Sequence, residues 1–244
     1  MLQKKQADFE VEKDVVSTIV QLGMAQYVFT LLNLVVNTKL KDRVIRCIDG
    51  RTPGGIHIAP LLEDEWEESV NLAVEFAKKA KAEAITFHLD CGAVKAWLER
   101  HKMDTSLENV LKYAEKFAKE VAERLKLTYR LEKISGHAGF HRERAVYYSD
   151  VDFDPSTDDR LPTGFFINRK YLLQEHALKE LSVALQIATG SHGFGKLFSQ
   201  EQPFLIIVVA GTEEKQEILR EEVQATASIY GKTVRVDGFV MPER

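Results

Sequence analysis

The 244-residue chain is 45% hydrophobic and 29% charged, with a formal net charge of −4 and a pI near 6.0. That balance suits one large globular body with a sizeable core, and it excludes a nucleic-acid binder that works through a global basic face. The longest apolar run, FLIIVVA at 204–210, is too short to span a bilayer, and the N-terminal MLQKKQADFEVEKD lacks the apolar stretch of a signal peptide, so a cytoplasmic protein without membrane contact is expected.

Apolar residues at helical spacing (Val15, Val16, Ile19, Val20, Met24) predict one or two helices over about 8–36. RVIRCID (43–49) reads as a short strand ending at Gly50, TPGG (52–55) as a turn and IHIA (56–59) as a second strand. Residues 63–82 open with acidic residues and carry Val70, Leu72, Ala73, Phe76 and Ala77 on one face, an amphipathic helix with favourable charge at its start. AEAITFHLD (82–90) is the next strand and VKAWLERH (94–101) a short helix. Thr105 and Glu108 form a capping-box pattern ahead of a helix over about 108–125, and TYRLEKISG (128–136) follows as a strand. Residues 137–165 are less regular, and DFDPSTDDRLPTG (152–164) reads as a loop or insertion. A helix over 169–188, the strand PFLIIVVAG (203–211), a helix over 213–229 and the strand TVRVDGFV (233–240) close the chain.

Strand and helix alternate, and the continuous Ile/Val runs suit a sheet covered on both faces. The expected fold class is α/β, a mainly parallel sheet flanked by helices. The chain reads as a single α/β domain over 1–244: an N-terminal helical arm (about 8–36), a core (about 43–125) and a C-terminal part (about 126–244). No internal repeat or linker is visible in it.

The chain holds two cysteines, Cys47 and Cys91. Each falls at the carboxyl end of a predicted strand, the edge where open α/β sheets bind ligands. His88 shares the second of these places. Two thiolates and one imidazole make a good zinc set that leaves a fourth position for water; a pair of buried thiols, a disulfide or a redox pair are the alternatives. Asp49 and Arg51 alternate with Cys47, so on an extended chain all three face one site, and an Asp held by Arg keeps its charge and orientation.

Cys47-Ile-Asp49-Gly-Arg51 followed by His88-Leu-Asp90-Cys91-Gly-Ala resembles the signature of the β-class carbonic anhydrases, over about residues 43–100. The resemblance implies a β-carbonic-anhydrase-like fold, and Zn2+ on Cys47, His88 and Cys91. It implies Asp49 and Arg51 as a catalytic dyad that orients the solvent ligand, in some members with the Asp closing onto zinc at rest. The implied reaction is a lyase's: reversible hydration of carbon dioxide to bicarbonate by a zinc-bound hydroxide, in a homodimer or higher homo-oligomer. PGGIHIAP (53–60) keeps the family's turn but loses its Arg-Asn-Ala-Gly ending. The alternatives are a non-catalytic zinc-binding relative with an assembly role, or a hydrolase of a carbon dioxide analogue such as carbon disulfide.

Three further histidines are candidates for proton transfer or for lining the pocket: His57, just after the dyad turn, and His137 and His141 in GHAGFHRERAVYY (136–148). A polar loop with satisfied histidines is the plainer reading of that stretch. GSHGFG (190–195) lacks the GK[ST] of a phosphate loop and reads as a loop over a pocket, and Trp66 and Trp97 as core or interface.

Overall fold

In the computed structural model, which describes residues 2–31, 40–134 and 140–241, the N-terminal arm is three helices: α1 (Leu2–Glu10), α2 (Lys13–Leu22) and α3 (Met24–Thr30). Gly23, at φ +82°, supplies the left-handed break between α2 and α3. The apolar stripe of the arm (Val16, Ile19, Met24, Tyr27) is buried against Ala145, Tyr147, Leu205 and Ile207.

The rest of the chain is α/β, with two four-stranded parallel sheets flanked by helices. The first sheet holds β1 (Val44–Arg46), β2 (Ile56–His57), β3 (Ala84–His88) and β4 (Thr128–Glu132) in the order β2-β1-β3-β4. Helix α4 (Trp66–Ala80) connects β2 to β3, and α5 (Gly92–Arg100) and α6 (Leu107–Leu125) connect β3 to β4. The second sheet holds β5 (Ala145–Ser149), β6 (Gly164–Asn168), β7 (Phe204–Ala210) and β8 (Val234–Val240) in the order β6-β5-β7-β8. Its connections are α7 (Gln174–Thr189) and α8 (Glu213–Ser228). Edge strands β2 and β6 lie together: the His57 amide donates to Asn168 Oδ1 at 2.6 Å, and the Phe166 amide to the Ile48 carbonyl at 3.0 Å.

The α/β expectation with mainly parallel pairing is met. Three local expectations change. β5 falls inside the stretch read as irregular and β6 begins at its end, in residues read as no strand: AVYYS and GFFIN are buried at every residue, so neither shows the alternation that marks a half-exposed strand. β1 ends at Arg46, which leaves Cys-Ile-Asp-Gly-Arg in a turn closed by the Thr52 amide donating to the Asp49 carbonyl at 3.0 Å. The cap of α6 is Ser106, whose hydroxyl accepts from the Asn109 amide, one residue beyond the expected Thr105.

Candidate metal centre

β1 and β3 are parallel neighbours with Ile45 level with Ile85, so their carboxyl ends lie side by side. Cys47 follows β1, His88 is the last residue of β3, and Cys91 occupies the N-cap of α5. Asp90, in the left-handed region at φ +60°, turns the chain between strand and helix and brings Cys91 back over the strand ends. The two sulfurs are 3.6 Å apart, and one ligand atom from each of Cys47, His88 and Cys91 lies within 4.8 Å of the others. Both cysteines are free thiols in this structure.

The donor set fits a borderline-soft cation. His88 Nδ1–H donates to the Leu89 carbonyl at 2.9 Å, which fixes the tautomer and leaves Nε2 as the basic nitrogen. That Nε2 is buried and has no hydrogen-bond partner, a costly arrangement that a metal ligand explains. Burial pushes the His88 imidazole down, but the charge on Cys91 wins and holds it up at about 9. The hydrogen bond from Cys47 pulls the Cys91 thiol well below its usual range, with His88 and the Val94 amide of the helix N-terminus helping. Burial and the neighbouring Cys91 push Cys47 up. The pocket thus concentrates negative charge on sulfur and stabilises a cation beside it. A second group, Asp49, His141 and Glu143, could also hold a metal ion by its spacing.

The Asp–Arg pair forms, but through the turn rather than along an extended strand. Arg51 Nη2 donates to Asp49 Oδ2 at 2.7 Å and Arg51 Nε to Asp49 Oδ1 at 3.0 Å, both groups buried. Arg51 also donates to the Asp90 carbonyl at 2.9 Å and to Asp90 Oδ2 at 3.3 Å, so one guanidinium clips the two motif loops together. Burial would raise the Asp49 carboxyl, but the charges on His141 and Arg51 hold it well below the usual carboxylate range. Asp49 Oδ2 lies 3.8 Å from His88 Nε2, beside the three ligand atoms and held by Arg51. Gly50 is required by close approach: a Cβ there would stand 2.4 Å from the Gly164 carbonyl oxygen of β6.

The other histidines separate. His57 Nδ1–H donates to the Cys47 carbonyl at 2.6 Å and its ring packs on Phe166, so it supports the backbone of a ligand residue. His137 lies outside the described residues. His141 reaches the dyad: Nε2 is 3.3 Å from Arg51 Nη2, and Nδ1 is 3.8 Å from Asp49 Oδ1 and 3.5 Å from Glu143 Oε2. Burial works against its charge, but Asp49 and Glu143 outweigh that and raise it. Glu143, fully buried with neither carboxylate oxygen hydrogen-bonded, was not singled out in the sequence; its place two residues after His141 in HRER was the available signal. Trp97 is core, its indole N–H donating to the Glu63 carbonyl at 3.0 Å. The 190–195 loop meets this region, since the His141 amide donates to the His192 carbonyl at 2.8 Å.

Two cavities border the centre. One puts Cys47, His88 and Cys91 against Ile45, Ile58, Ile85 and Phe117. The other is lined by Asp90, Lys95, Glu99, His141, Gln186 and His192. Compared with protein-family models, curated proteins and solved structures, the chain matches none.

Proposed function

We propose that the protein is a zinc-dependent hydratase of the carbonic anhydrase kind, which interconverts carbon dioxide and bicarbonate. The observation that carries the reading is the convergence of Cys47, His88 and Cys91, with an orphaned imidazole nitrogen, beside a carboxylate held by arginine. Cys47 and Cys91 sulfur and His88 Nε2 would hold the ion, and zinc so bound supplies a Lewis acid that brings the pKa of water at its fourth position towards about 7. Asp49, kept ionised by Arg51, is an acceptor only, so it selects and orients a hydroxyl donor next to His88 Nε2. The apolar walls Ile45, Ile58, Ile85 and Phe117 suit a small uncharged substrate, while the polar cavity past His141 gives an anion and a proton a wet way out. His141 stands between the dyad and that cavity and is the candidate for proton transfer.

The test is elemental analysis of protein purified without chelators, together with a carbon dioxide hydration assay. About one zinc per chain and a hydration rate above the buffer rate are expected. Full-length folded protein without zinc would overturn the reading. Zinc without hydration, with carbon disulfide turned over instead, would move it to the analogue.

A further inference from the structure

The two sheets have the same strand order relative to the chain: second, first, third, fourth. Their registers agree as well. Ile45 is level with Ile56 and Ile85, and Ile85 with Tyr129. Val146 is level with Phe165 and Ile206, and Ile206 with Val236. Ile45, Ile56, Ile85, Val146, Phe165 and Ile206 all face the same core, so the two rows correspond.

An independent feature checks this alignment. A glycine opens the second strand of each half, Gly55 just before β2 and Gly164 as the first residue of β6, within Pro53-Gly-Gly-Ile-His-Ile and Pro162-Thr-Gly-Phe-Phe-Ile. A Cβ on Gly55 would meet the Val44 carbonyl and the Arg46 side chain; one on Gly164 would meet the Ala145 carbonyl and the Tyr147 side chain. Those are the residues the register pairs with each other.

Carried to the strand ends, the alignment sets Tyr148 against Cys47, Val209 against His88 and Thr212 against Cys91. Cys91 and Thr212 are both N-caps of the helix that follows. Asp150 matches Asp49, but Asp152 stands where Arg51 does. None of the three ligand positions keeps a soft or imidazole donor, and Tyr148 instead donates to Glu222, which Arg169 also holds. The halves differ in their connections: a single helix, α8, replaces the α5–α6 pair, and the links from β5 to β6 and from α7 to β7 are longer and carry the 3-10 turns Pro155–Thr157 and Gly195–Leu197.

The second half also builds the wall of the metal pocket. His141, just ahead of β5, reaches Asp49 and Arg51, and Glu143 lies beside it and Asp49. Gly50 is bare because Gly164 approaches it, and a Cβ on Gly92 would stand 2.9 Å from Ile187 and 3.1 Å from His141. The approach is mutual: Arg43, just ahead of β1, reaches Asp152 at 3.2 Å.

We infer that the C-terminal half is a copy of the metal-binding half without its ligand set, and that it serves as a built-in partner completing the one metal pocket. The partner role rests on reading Cys47, His88 and Cys91 as a metal set; the copy does not. A single chain then does what a pair of identical subunits would do, and the homodimer expected from the family resemblance is not needed to close the site.

Two arms on the full chain test this. In the first, Tyr148→Cys with Thr212→Cys is oxidised with glutathione disulfide and mapped by peptide mass. The copy places these sulfurs as Cys47 and Cys91 are placed, so a 148–212 disulfide is expected; a variant with native circular dichroism and both new thiols unlinked overturns the copy. In the second, native mass spectrometry follows the zinc-loaded wild type through dilution. A monomer that keeps one zinc is expected. A monomer without zinc beside a dimer that holds it overturns the partner role. Zinc absent from every form removes the metal reading and the partner role together, while the first arm still judges the copy. If the Tyr148 exchange unfolds the chain, the mass measurement still decides the partner role.

Discussion

At the scale of residues, the proposed function divides the site into groups that would hold the ion and groups that would orient what binds beside it. Cys91→Ser removes one soft donor of three and is expected to lose most of the zinc in elemental analysis. Asp49→Ala leaves all three donors in place, so it is expected to keep zinc and to lower hydration by about 10²-fold or more, the usual scale for a lost acid–base or orienting group. Zinc loss in Asp49→Ala, or full activity, would contradict that division. His141 is a different test, because its three polar neighbours, Arg51, Asp49 and Glu143, suit either a structural part or the proposed proton transfer. His141→Ala assayed in weak buffer is expected to turn over slowly and to recover in concentrated imidazole. A loss that imidazole does not repair assigns His141 to holding the dyad in position.

At the scale of elements, the turns at the strand ends are what make the site, and close packing makes the turns. Gly50→Ala would press a methyl group onto a backbone carbonyl at 2.4 Å, with no flexible side chain to give way. It is expected to cost about 1–3 kcal/mol in chemical denaturation, the usual range for overpacking a dense core. A neutral result would mean that β6 can move off the Cys-x-Asp-x-Arg turn. These turns explain which parts were legible in the sequence. Cys47, His88 and Cys91 could be read because soft donors are rare in this chain and both fell at strand ends. The Asp49–Arg51 pair could be read from its residues, although the extended geometry expected for it is replaced by a turn. β5 and β6 could not be read, because AVYYS and GFFIN carry neither a period nor the continuous Ile/Val run that marked β7, and the Asp/Pro-rich loop between them hides their pairing. Glu143 was illegible for a related reason: its meaning comes from Asp49 and Gly50, which reach it only across the join between the sheets.

At the scale of the whole molecule, the two sheets are tied by polar groups as well as by the shared core. Glu180 of α7 is fully buried and accepts from the Ala59 amide just after β2, while its second oxygen has no partner. Burial raises its carboxyl from 4.5 to about 8. The folded chain therefore keeps a proton that the unfolded chain releases, so stability falls as pH climbs between about 4.5 and 8 and is unaffected below that window. Glu180→Gln keeps an acceptor for Ala59 and does not ionise. It is expected to match the wild type near pH 4 and to exceed it by a few kcal/mol, on the order set by the linkage, above pH 8. Thermal melts at the two pH values check this, and an equal change at both would show that Glu180 acts through packing alone.

The function itself turns on one rate. Stopped-flow hydration of carbon dioxide by the zinc-loaded, full-length protein is the most direct measurement of the central claim. The expected result is a rate well above buffer that rises with pH through about 7 and disappears in Cys91→Ser. A zinc-loaded, folded protein that hydrates carbon dioxide no faster than buffer at any pH would contradict it.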